Sequence, residues 1–146
     1  MAKILVFTLR SMNYGIEIGH VRSIEKILPI TRIPRQPAFV KGVVNLRGVI
    51  VPILDLRIRC GLEETKYTEA TRIIVVSREG NELGLIVDET VHVSEIGMEN
   101  VERPTEVAGS IETKFIQGLA RTNESNDFVV MLNLATVLEK PEFVFG

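Results

Sequence analysis

With 146 residues, 45% hydrophobic and 25% charged, the chain has room for one ordinary domain or for two very small subdomains sharing a core, since a segment half as long buries only about 60% of its surface and is marginal alone. This composition is that of a soluble globular protein and excludes a disordered or biased tract; the single cysteine, Cys60, excludes an internal disulfide framework and permits a reducing compartment. The formal charge of −2 is unevenly spread: residues 29–62 carry Arg32, Arg35, Lys41, Arg47, Arg57 and Arg59 against Asp55 alone, and residues 88–112 carry Asp88, Glu89, Glu95, Glu99, Glu102, Glu106 and Glu112 against Arg103. Two readings of that asymmetry stand equal, solvated loops that differ by accident or steering toward oppositely charged partner surfaces.

From the amino end, Met1-Ala2-Lys3 leads directly into an alternating apolar run too short for the apolar region of a signal peptide or for a membrane span, so a cytoplasmic location is expected. Short apolar runs separated by turn chemistry then predict strands near 3–10, 14–18, 21–28, 40–47, 49–54, 72–78, 82–88, 91–96, 115–121 and 127–132. Between the third and fourth, Pro29, Pro34 and Pro37 punctuate an arginine-rich connection, and Pro104 lies in an acidic linker over 97–112; neither stretch suits a central strand. Short helices are expected at 55–61 and 133–140, each opened by an N-cap type residue, Asp55 or Asn133, and the first closed by Gly61. Strands at this spacing with little helix between them predict an all-β fold of small antiparallel barrels, not alternating βαβ units.

The strands come as two sets of five in matching order. Ile4-Leu5-Val6-Phe7-Thr8-Leu9-Arg10 is echoed by Arg72-Ile73-Ile74-Val75-Val76-Ser77-Arg78, and Tyr14-Gly15-Ile16-Glu17-Ile18 by Leu83-Gly84-Leu85-Ile86-Val87. Phe39-Val40-Lys41-Gly42 returns as Phe115-Ile116-Gln117-Gly118, and Val51-Pro52-Ile53-Leu54-Asp55-Leu56 as Val129-Val130-Met131-Leu132-Asn133-Leu134. Four blocks in register mark an internal duplication, although any one of them is only strand-like alternation. The expected division is a first barrel over about 12–80, a second over about 81–140 with strand 1–11 able to cross to it, and a tail over 141–146.

A search for chemistry returns little. The sequence holds no G-x-S-x-G elbow, P-loop, dinucleotide fingerprint or cysteine pair, so neither a cofactor nor a metal is implied. His20 and His92 read as turn or surface histidines, Asp88-Glu89 as a solvated strand end, and Cys60 as structural despite its neighbour Arg59. The segment 42–57 carries more. Along an extended strand Val44 and Leu46 face one way and Asn45 and Arg47 the other, which projects a polar pair from an apolar framework. A recognition feature and a plain hairpin turning at Gly48 explain that pair equally well on spacing alone.

The run from Phe39 to Arg57, with Gly-Val-Val-Asn-Leu-Arg-Gly-Val-Ile-Val-Pro-Ile-Leu-Asp-Leu-Arg at its centre, resembles the signature of the CheW family of bacterial chemotaxis coupling proteins. Phe7-Thr8-Leu9, Tyr14-Gly15-Ile16-Glu17-Ile18, Gly84-Leu85-Ile86-Val87-Asp88 and Phe115-Ile116-Gln117-Gly118 extend that resemblance across residues 1–140. The resemblance implies two five-stranded SH3-like barrels around a shared core, with short helices. It also implies a non-catalytic scaffold, associated with receptor arrays at the inner membrane face but not inserted in the membrane. Its partners would be the tips of methyl-accepting chemoreceptors and the regulatory domain of the histidine kinase CheA, with no nucleic acid involved. Receptor contact is implied at Asn45, Leu46, Arg47 and Gly48, and further at Val21, Ile24, Val87 and Asp88, while apolar barrel ends would meet the kinase. The alternative reading is a small β-barrel module binding nucleic acid or a ligand through the basic segment 29–62.

Overall fold

A computed structural model describes residues 2–97, 113–123 and 127–139, so most of the expected acidic linker, the expected tail and residues 124–126 lie outside the described residues. Ten strands run in chain order: β1 (Ala2–Leu9), β2 (Met12–Glu17), β3 (Val21–Lys26), β4 (Val40–Leu46), β5 (Val49–Asp55), β6 (Arg72–Arg78), β7 (Asn81–Val87), β8 (Glu89–Ile96), β9 (Ile116–Arg121) and β10 (Phe128–Leu132). Helix α1 (Leu56–Arg59) follows β5 and α2 (Leu134–Val137) follows β10. Both are capped as the sequence predicts. Asp55 accepts from the backbone N–H of Arg57 and Ile58, Asn133 accepts from that of Thr136, and Gly61, at φ +84°, ends the first helix in a left-handed turn.

The strands form two five-stranded sheets, one ordered β3-β6-β7-β5-β4 and the other β8-β1-β2-β10-β9. Superimposing the sequence repeats on these orders equates β1 with β6, β2 with β7, β3 with β8, β4 with β9 and β5 with β10, position for position. The duplication is therefore also structural, down to an irregularity after Val40 in β4 that recurs beside Ile116 in β9. The two repeats have, however, exchanged their first hairpins. The hairpin β1–β2 completes the sheet of the second repeat, and β6–β7 that of the first. The expected boundary between residues 80 and 81 is thus displaced: the sheets divide the chain into 21–87 and into 2–17 with 89–132. Crossover takes the whole first hairpin, because β2 pairs with β1 along six residues and the two move as a unit.

Each donated hairpin meets its host along a parallel seam, β5 beside β7 and β2 beside β10. Gly84 and Gly15 occupy equivalent places on these seams, where no side chain fits: a Cβ at Gly84 would lie 2.5 Å from Ile53 Cδ1 and 2.8 Å from Ile73 Cγ2, and one at Gly15 2.9 Å from Val129 Cγ1. The donated strands are buried on both faces. Ile4 and Val6 of β1 fill the interior of their own sheet, while Leu5, Phe7 and Leu9 enter a cluster shared with Leu54, Ile74, Val76 and Leu85 of the other. β6 repeats the arrangement, with Ile73 and Val75 facing its own sheet and Ile74 and Val76 the shared cluster. That central cluster holds the two sheets together.

Gly84→Ala should destabilise the fold by about 1–3 kcal/mol through overpacking of the seam. Leu54→Ala, which empties volume in the shared cluster where Leu54 is fully buried, should cost about 2–5 kcal/mol. Each is read as a lower denaturation midpoint at unchanged slope; a wild-type midpoint in either variant would place that residue outside tight packing.

Candidate functional site

Strands β4 and β5 are joined by a two-residue turn, Arg47 at φ +52° and Gly48 at φ +85°, and this left-handed pair suits the right-handed twist of a hairpin. Asn45 fixes the turn by accepting the Gly48 N–H at 2.8 Å on its Oδ1. Arg47 is not β-branched but still incurs a conformational cost there, on the order of 1 kcal/mol. Its guanidinium reaches across to Glu25 of β3, Nη2 to Oε2 at 3.3 Å, with its side chain 69% exposed. As β3 and β4 are the two edges of one sheet, this ion pair spans the gap through which the sheet curls toward closure, as does the bridge between Thr31 and Val43.

The hairpin turning at Gly48 is present, and it also presents Arg47 to solvent. Beside the turn, Val49 and Ile50 are 51% and 61% exposed, which is unusual for adjacent aliphatic residues at a strand start. Their continuous apolar run reads in sequence as a buried strand; the signal that could have exposed them is their position directly after the turn, where the hairpin outruns the core. The equivalent position in the other sheet, Phe128, is 52% exposed as well and has the Arg121 guanidinium 4.0 Å from its ring centre.

The other sequence-derived residues are dispersed. Leu46 faces inward with Val44 and is nearly covered, and Val87 is fully buried in the shared cluster, so neither offers surface to a partner in this conformation. Val21 is half-buried against the same cluster, whereas Ile24, 43% exposed, stands on the outer side of β3 next to the Glu25 that holds Arg47. Asp88 is not a solvated strand end. Its Oδ1 accepts from Arg57 Nη1 at 2.9 Å, its Oδ2 accepts from the backbone N–H of Arg10 at 2.7 Å, and its own N–H donates to the carbonyl of Thr8.

Arg57 is the centre of that arrangement and is wholly buried. Nε and Nη2 fork onto the two oxygens of Asp55 at 3.0 and 2.8 Å, and Nη1 also donates to the carbonyl and hydroxyl oxygens of Thr65. Burial alone would lower the guanidinium pKa, but hydrogen bonds and charge from Asp55, then from Asp88, outweigh it and raise the pKa above its ordinary value. Arg59 is likewise committed, donating to the carbonyls of Val137 and Thr136. Lys41 pairs with Glu64 at 2.7 Å. Of the six cations in 29–62, only Arg32 and Arg35 are exposed without an acidic side chain in ion-pair range among the described residues. The segment is basic in sequence without forming a basic face, which removes the support for a nucleic-acid or ligand module.

Arg57→Ala strands two carboxylates and should cost about 3–5 kcal/mol, with Arg57→Lys falling between it and wild type because one amine cannot make the fork. Arg47→Ala should cost less than about 1 kcal/mol. Parallel urea titrations decide both; equal losses at the two arginines would contradict the division into buried clamp and exposed tip.

Comparison with known proteins follows the same lines. The family model described as the CheW-like domain matches residues 3–142. The chemotaxis protein CheW of Klebsiella aerogenes is 35% identical over 138 residues, covering 94% of this chain and 82% of that protein. The CheW of Bacillus subtilis is 42% identical over 113 residues, 73% of this chain and 72% of that protein. The crystal structure of the scaffolding protein CheW from Thermoanaerobacter tengcongensis is similar with a TM-score of 0.88 at 35% identity, covering 99% of each chain. A duplicated pair of five-stranded sheets, an Asn-Leu-Arg-Gly turn and a family match along nearly the whole length place this chain in the CheW family.

Proposed function

We propose that this chain is a non-catalytic chemotaxis scaffold that joins the cytoplasmic tips of chemoreceptors to the regulatory domain of the histidine kinase CheA, in receptor arrays at the inner face of the membrane. The observation that carries the proposal is the end of the β4–β5 hairpin, where Val49 and Ile50 stand exposed beside Arg47 on a turn fixed by Asn45. A rigid apolar pair with a charged neighbour has the composition of an interface centre with a polar rim. Kinase contact belongs to the apolar hairpin end, and receptor contact to Arg47, Asn45 and the adjacent outer side of β3 that holds Ile24. Signalling through such a protein is a binding equilibrium: apolar contacts supply affinity, and the charged rim supplies rate and register. Among the described residues no helix is long and apolar enough to cross a membrane.

Calorimetric titration against the CheA regulatory domain and a receptor-tip fragment from one organism tests this reading. Saturable one-to-one binding is expected, with Ile50→Asp weakening the kinase and Arg47→Ala the receptor, each by roughly tenfold or more, or about 1.4 kcal/mol. Absence of binding to both partners would refute the scaffold, and unchanged affinity in both variants would move the interfaces away from the hairpin.

A further inference from the structure

We propose that residues 63–67, the middle of the loop between α1 and β6, form a latch that holds the tip of the donated β1–β2 hairpin against the sheet of residues 21–87 and opens while both sheets stay folded. Three consecutive residues of this loop reach three different elements. Glu63 Oε2 lies 4.0 Å from Nη2 of Arg10 in the β1–β2 turn, Glu64 Oε2 lies 2.7 Å from Nζ of Lys41 in β4, and Thr65 offers its carbonyl and hydroxyl oxygens to Nη1 of Arg57 in α1. The two ends of the loop are fixed independently of those contacts. At one, the Leu62 N–H donates to the Arg57 carbonyl at 2.8 Å; at the other, the Thr68 N–H donates to Oγ1 of Thr71 at 2.8 Å and the Thr71 N–H to the Thr68 carbonyl at 3.2 Å.

Between those posts burial contributes little, because Glu63, Glu64, Lys66 and Tyr67 are exposed and Thr65 is half-buried. The crossing is held by surface ion pairs, which are individually weak and screened by salt, and by the bonds to Arg57. A segment of this kind opens at far lower free energy than the strands around it. Its opening reaches further than the loop. Nη1 of Arg57 also donates to Asp88, whose other carboxylate oxygen accepts the Arg10 N–H at 2.7 Å. Arg10 and Ser11 both stand in the left-handed region, at φ +53° and +70°, although neither is glycine, so the Asp88 bond keeps a strained turn in place. When Thr65 withdraws, water reaches Nη1 and competes for Asp88, and the strained tip loosens with the loop. Arg10, Glu63, Glu64 and Thr65 therefore open and close as one unit across the junction of the sheets.

Hydrogen exchange of the Arg10 amide in the full chain, with tryptic cleavage after Lys66 read by mass, tests this. Thr65→Val, which removes one acceptor from Nη1, should speed both by roughly threefold to tenfold, and Glu64→Gln should speed both by about twofold to fivefold. In the wild-type chain both should rise together as salt is raised from about 50 mM to about 500 mM. The Val75 amide in β6 should keep its rate throughout, as should the Arg10 amide in Glu25→Gln, which loses an exposed ion pair elsewhere. Faster cleavage after Lys66 with the Arg10 amide unchanged overturns the proposal, because the loop would then move by itself. Equal acceleration at Val75 overturns it in favour of global destabilisation, and wild-type rates in both variants and at both salt concentrations overturn it because the named contacts would not be what holds the loop.

Discussion

The buried guanidinium of Arg57 is the constraint on which the rest of the molecule depends. Through Asp55 it caps α1 and finishes β5, and through Asp88 it fixes the point where the chain leaves one sheet and enters the other. Asp88 in turn holds the turn of the donated β1–β2 hairpin by the Arg10 N–H. One side chain thus addresses both sheets at their covalent junction, and Thr65 brings the loop between α1 and β6 over it. Two carboxylates around one cation are tolerable because the fork satisfies both oxygens of Asp55, backbone donors share the remainder, and Asp88 keeps 24% of its side chain exposed.

This clamp also explains why linear charge misleads. The basic run of the first half looks like a surface in sequence, yet two of its arginines are spent on internal bonds and two further cations on nearby acids. Exposed apolar side chains stand at the ends of equivalent hairpins, with Ile50 on one sheet and Phe128 on the other. A duplicated fold displays its exposed positions twice, in different surroundings: Ile50 lies opposite Asn45 and close to Arg47, while Phe128 is covered in part by Arg121. Two related surfaces with different rims are a physical basis for distinguishing two related partners.

Much of this was legible in the sequence, and the failures have physical causes. All ten strands lie within a few residues of their expected places because each alternates a more covered with a less covered face or is buried on both, and Asp55 and Asn133 cap helices where side-chain chemistry required it. Pairing was not legible. β1 and β6 are both buried on two faces and carry the same pattern, so local sequence cannot tell a hairpin kept by its own repeat from one given away. At the site, the Asn-Leu-Arg-Gly turn announced itself through glycine and asparagine, but Asp88 and Arg57 are 31 residues apart, and no periodicity reports a contact at that distance.

The exchange of hairpins gives the fold an order in time. β1 ends at Leu9, but its partner β8 begins only at Glu89, so during synthesis at about 5–20 residues per second it waits on the order of 4–16 s. The sheet spanning 21–87 is uninterrupted in the chain and can assemble in that interval, leaving Ile4-Leu5-Val6-Phe7 without a place in their own sheet until β8 to β10 emerge. Whatever shelters those four residues in the meantime, a chaperone or the half-built neighbour, governs how much of the protein reaches its native state.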